Sequence, residues 1–156
     1  MKTLISSARK EMFTQEELQK LTEIDKHDFG PVMKRLASRG YQSDEEALLA
    51  LKQSYALTVI EPDKRHALSS RIDDARHTHM MFSADYRQFC RHTFGGILDH
   101  EPLDGEDTEL VDETSVLYEH TSRVLRKYFN EVNGDIWPEH AIRGILCCCD
   151  SLKMAA

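Results

Sequence analysis

Residues 72–102 read IDDARHTHMMFSADYRQFCRHTFGGILDHEP, and this stretch decides both the fold and where chemistry belongs. It gathers four of the eight histidines, His77, His79, His92 and His100, into 31 residues, beside paired aspartates, a cysteine and a double glycine. Ser69 or Ser70 can cap a helix carrying Ile72, Asp73, His77 and Met80. Ser83 opens the next helix, SADYRQFCRHTF, and Gly95-Gly96 ends it, because glycine takes left-handed backbone angles at little cost. The following GGILDHEPLDGED is expected as a loop long enough to fold back over a site.

Asp73 and His77 are four residues apart, so a helix sets them on one face about a turn from each other. His77 and His79 do not share a face, so the HTH triplet is not in itself a helical metal pair. A helical hairpin with its bend at Gly95-Gly96 would return His100 to Asp73 and His77. The resulting Asp-His-His set suits zinc or divalent iron or manganese: imidazole donates a nitrogen lone pair and the carboxylate offsets the ion's charge. The same three residues also make a metal-free network in which Asp73 fixes the His77 tautomer and His100 caps a loop carbonyl. Cys90 is the one candidate nucleophile, and beside Phe89 it reads first as a small buried residue. Tyr86, Phe89 and Phe94 are expected to pack around this centre. His79, Asp74 and His92 are expected at surface or half-buried positions.

Outward from this centre the chain reads as helices. TQEE from Thr14 is a capping box with Phe13 and Leu18 as staple, followed by Leu21 and Ile24 at helical spacing. Pro31 suits the first turn of a short helix through Ser38, ended at Gly40. Ser43 opens SDEE and a helix with Ala47, Leu48, Leu51, Tyr55, Thr58 and Val59 on its buried face, stopped by Pro62; its last turn is locally strand-like. Thr108 or Asp112 starts a long helix to about Asn130, with Leu110, Leu117, Thr121, Val124, Leu125 and Tyr128 as its stripe. Asn133-Gly134 is a turn. Pro138 is expected to begin a last helix through about Leu152, docked by Trp137. The fold class is all-α, an irregular bundle of six or seven helices forming a single domain over residues 1–156.

Composition narrows the function. The 156 residues carry a formal net charge of -7, which argues against a protein that grips a phosphate backbone. Lys34, Arg35 and Arg39, and Arg123, Arg126 and Lys127, are read as solvated helix surface rather than nucleic-acid footprints. The chain has no apolar run long enough to span a membrane, and the first residues lack the apolar core of a signal peptide, so a cytoplasmic location is expected. Cys147, Cys148 and Cys149 in succession are neither a disulfide framework nor a zinc motif. They are expected on the last helix, with one or two buried beside Ile145 and Leu146.

The central stretch resembles the glycine-rich domain-containing protein-like family, as a compact bacterial-type member without the glycine-rich tail of the plant proteins. The family pattern runs from an aspartate to a tryptophan-histidine pair, a tyrosine, Phe-Cys, Phe-Gly and a histidine before proline. Asp73, His77, Tyr86, Phe89, Cys90, Phe94, Gly95, His100 and Pro102 fall on it, and the flanking LLALKQSYAL, LYEHTSRVLRKYF and IWP extend the likeness to about residues 43–138. Arg76 stands where the family has tryptophan, and Asp99 where a second histidine is often found. The resemblance implies a centre of interest at Asp73, His77, Tyr86, Cys90 and His100, without implying a reaction.

Two functions are therefore expected to compete. One is a non-enzymatic domain that acts through a protein or peptide partner, with no cofactor and with Asp73, His77 and His100 as a structural centre. The other is a divalent-metal-binding protein, with hydrolysis the reaction open to it, that uses those three residues as ligands.

Overall fold

The computed structural model describes residues 2–102, 106–141 and 146–154. Seven α-helices dominate these residues: α1 (Leu4–Ser7), α2 (Gln15–Lys26), α3 (Gly30–Ser38), α4 (Glu45–Ile60), α5 (Ser70–Met81), α6 (Ser83–Phe94) and α7 (Thr108–Tyr128). A 3-10 turn, Lys10–Met12, follows α1. Three strands complete the fold: β1 (His66–Ser69), β2 (Gly96–Pro102) and β3 (Leu146–Met154). They form one antiparallel sheet in the order β1-β3-β2. The protein is mainly helical, but the all-α expectation is corrected by this sheet.

The helix starts follow local chemistry. Thr14 accepts from the Glu17 amide while the Glu17 carboxylate accepts from the Thr14 amide, the reciprocal cap its sequence predicts. Pro31 lies in the first turn of α3, and Gly40 follows that helix at φ 81°. The cap of α4 is Asp44, one residue beyond the expected Ser43; its carboxylate accepts from the Ala47 amide. Helix α4 is buried almost all round from Leu49 to Val59, which marks it as the central rod of the molecule rather than a surface helix with one buried face. Tyr55, Leu51 and Leu57 on it are fully buried against the rest of the core.

Two segments depart from the sequence expectation. The segment expected as the last helix is not one in its described parts: residues 138–141 are irregular, and Leu146–Met154 is the middle strand of the sheet. A short apolar run does not by itself distinguish strand from buried helix; here extended partners on both sides decide it. Ser69 pairs with Leu146 and Leu68 with Cys148 across a bulge, while Gly96 through Pro102 pair with Met154 back to Cys148. The side chains of Cys147 to Cys149, and Ile145 itself, on which the expected burial turns, lie outside what the structure describes. The loop expected after Gly95 is in its first part strand β2. Gly95 stops α6 at φ 75°, and the chain then leaves in extended form.

Trp137 is fully buried, but it docks α7 rather than a following helix. Its ring stacks on Tyr118 at 6.4 Å, the Arg126 guanidinium donates to its carbonyl at 2.7 Å, and Tyr118 donates to the Pro138 carbonyl at 2.6 Å. No helix among the described residues is long and apolar enough to cross a membrane.

Candidate metal centre

Helix α5 carries the centre because its sequence alternates. A residue advances about 100° around a helix, so positions two apart point about 200° apart. His77 and His79 therefore leave α5 in different directions, and each enters a different carboxylate–histidine cluster.

The first cluster is Asp73, His77 and His100. Asp73 lies in the first turn of α5, His77 one turn further on, and His100 in β2 opposite Asp150 of β3. The His100 Nε2 is 2.6 Å from Asp73 Oδ1, and His77 Nε2 is 3.4 Å from the same oxygen. The two imidazoles lie 4.6 Å apart and nearly perpendicular. One ligand atom from each residue falls within 4.8 Å of the other two. The His100 side chain is buried and that of Asp73 nearly so, whereas the His77 side chain is 49% exposed. The cluster thus has a buried base and one open edge.

Tyr86 supports this arrangement from α6. The Tyr86 hydroxyl donates to the Leu98 carbonyl at 2.6 Å and so ties β2, which carries His100, to α6. Cys90 is a buried thiol in the core. Arg76, at the position where the resembled family has tryptophan, is also fully buried. Its guanidinium lies 4.1 Å over the Tyr55 ring, and Nε donates to Ser54 Oγ at 3.0 Å. The flat guanidinium lies against the aromatic face, a favourable setting for a buried cation.

Asp74 and His92 occupy the half-buried and exposed positions expected of them. Burial raises the Asp74 carboxyl, and the neighbouring Asp73 charge adds to the rise. Asp74 helps line a cleft of about 290 Å³ with Leu36, Tyr41, Gln42 and Arg71. Asp73, His77 and His100 are not among its lining residues, so cluster and cleft occupy different faces of α5.

His79 is the residue that sequence reasoning misplaced. It is 0% exposed, not at the surface. Its Nδ1 meets the Tyr55 hydroxyl at 2.5 Å, and its Nε2 lies 3.0 Å from Asp85 Oδ2. His27 Nε2 lies 3.0 Å from that same oxygen. Burial pushes the His79 imidazole down to about 4, against the raising pull of Asp85, so the ring is neutral at neutral pH. Burial also works against the Asp85 charge, but hydrogen bonds from His79 and His27 outweigh it and hold this carboxyl below its ordinary value. The signal was present in the sequence as the alternation of HTH. What it lacked was the partner, because His27 is 58 residues from Asp85.

Comparisons with protein families, with curated proteins and with solved structures find no match to this chain.

Proposed function

We propose that this is a cytoplasmic divalent-metal-binding protein whose ion is held by Asp73, His77 and His100, with zinc the first candidate. The observation that carries the reading is the convergence of three metal-ligating side chains from α5 and β2, whose donor atoms lie within 4.8 Å of one another, with His77 exposed at one edge. A carboxylate and two imidazoles supply charge compensation and nitrogen donors, and the open edge leaves room for water as a further ligand. Zinc, iron(II) and manganese(II) all accept such a set. An ion there would cross-link α5 to β2 and so fasten the helical part to the sheet. Kinship with the glycine-rich domain-containing protein-like family belongs to the same proposal and rests on the motif of residues 72–102.

Elemental analysis of the untagged protein purified without chelator, beside a His77→Ala variant, tests this. The reading requires about one more ion per chain in the parent than in the variant. A parent protein that takes up no metal even after reconstitution would leave the cluster as a hydrogen-bonded network.

A second reading, action through a peptide partner, is favoured by one surface feature. Exposed Tyr41 and Met81 flank Arg39, whose guanidinium lies 5.0 Å over the Tyr41 ring and 3.7 Å from the Met81 sulfur, beside the cleft lined by Tyr41, Arg71 and Asp74. Under this reading Tyr41→Ala and Met81→Ala abolish partner capture by the intact chain without changing its metal content.

A further inference from the structure

We propose that His27, His79 and Asp85 form a second divalent-cation site, separate from the Asp73 cluster and on another side of α5. Three elements build it. His27 is the C-cap of α2, where the backbone turns extended and sends the ring toward α5 and α6. His79 comes from the last turn of α5, and Asp85 from the first turn of α6, with Phe82 alone separating the two helices. A carboxylate in a first helical turn is favoured by the exposed amides there.

The donor geometry is close to what an ion needs. Asp85 Oδ2 is 3.0 Å from each Nε2, and one donor atom from each residue lies within 4.8 Å of the others. A tetrahedral zinc with ligands at about 2.1 Å sets its donors about 3.4 Å apart, so each Asp85–histidine separation needs to open by only a few tenths of an ångström. The Asp85 side chain is 44% exposed and can make that movement, while His79 is fixed.

The surroundings complete the site. Ligating imidazoles commonly donate their second ring N–H to a nearby acceptor, which fixes the tautomer and ring orientation. Tyr55 Oη is in place to accept from Nδ1 of His79, which frees Nε2 for the ion. A hydroxyl can donate or accept, so the same contact serves the metal-free tautomer, in which Tyr55 donates to Nδ1 and Nε2–H donates to Asp85. Phe29 and Phe89 pack on the His27 ring at 4.7 and 4.8 Å and close the inner side against water. His27 itself reaches a surface cleft of about 380 Å³, which gives the ion its path in.

The test uses the full chain, stripped with chelator, in the His77→Ala form that disables the first cluster. Zinc is titrated by calorimetry, and the His79 Nε2 resonance is followed by 15N NMR. The proposal expects about one further zinc per chain, a shift of the Nε2 resonance marking direct ligation, and loss of that binding in His27→Ala and in Asp85→Asn. Tyr55→Phe is expected to weaken binding about tenfold, as loss of a supporting hydrogen bond does. Absence of zinc binding in His77→Ala, or binding that leaves the His79 resonance unmoved, overturns the proposal. The NMR reading is taken on a protein whose second cluster is intact, so misfolding of a ligand variant does not blunt it. Failure here leaves the Asp73 site untouched, since that site is read as the difference in metal content between the parent and His77→Ala.

Discussion

His100 and Asp73, 27 residues apart, meet at 2.6 Å across the junction of α5 and β2. This contact joins the helical layer to the sheet, and both of its side chains are far less exposed than that of His77. Burial separates a structural role from a metal-binding one.

In metal-free protein, His100→Ala removes the Asp73 hydrogen bond from a nearly buried carboxylate and is expected to cost about 1–3 kcal/mol. His77→Ala removes a longer, half-exposed contact and is expected to cost less than about 1 kcal/mol. Both variants lose the ion proposed at this cluster. Urea denaturation in chelator, with metal uptake measured separately, checks the contrast; equal stability losses would assign both histidines the same role.

Asp25 fastens the N-terminus. Its carboxylate accepts from the Leu4 and Ile5 amides at 2.8 and 3.0 Å and pairs with nearly buried Lys52 at 3.1 Å. Asp25→Ala strands the Lys52 ammonium and is expected to cost about 3 kcal/mol. Adding Lys52→Met should restore part of that loss but not all, because the two α1 amides still lack their acceptor. A double-mutant cycle by urea denaturation measures both parts.

Glu61 makes stability sensitive to acid. Burial raises its carboxyl, but hydrogen bonds from His120 at 2.8 Å and Lys64 outweigh this and leave it below the ordinary value of 4.5. A group lowered on folding contributes its full stabilisation above the unfolded value and loses it as pH falls through the folded one. Glu61→Gln is therefore expected to flatten the stability profile below about pH 4.5, by less than about 1 kcal/mol in total. Urea midpoints of both proteins across that window give the difference.

Gly95 ends α6 at φ 75° and sets the direction of β2. An alanine there must adopt left-handed angles, so Gly95→Ala is expected to cost about 1–2 kcal/mol. It should also weaken metal uptake at the Asp73 cluster, since β2 carries His100. Thermal unfolding with a zinc titration of the same variant reads both effects.

Much of this architecture was legible in local chemistry. Thr14 and Glu17, Pro31, and the glycines at 40 and 95 mark helix ends that the structure keeps. The i,i+4 spacing of Asp73 and His77 and the bend after Phe94 pointed to the place where His100 arrives. The sheet was not legible because its strands are defined by each other. The four residues of β1 and the Leu-Cys-Cys-Cys start of β3 have no alternating pattern, and about 80 residues separate them. The His27–His79–Asp85 cluster was hidden for a related reason. A surface position was the natural expectation for His79, and only the packing of α2 against α6 brings His27 to Asp85 and buries its partner. Arg76 shows the limit of residue type as a guide to burial: its guanidinium is fully buried and stacked on Tyr55.

The most direct test of the metal-centre account is a zinc-edge anomalous difference map from crystals of the parent protein grown with stoichiometric zinc. The account predicts a peak about 2.1 Å from Nε2 of His77 and of His100 and from a carboxylate oxygen of Asp73. A map with no peak at that junction, in crystals whose Asp73–His100 contact is unchanged, would contradict it.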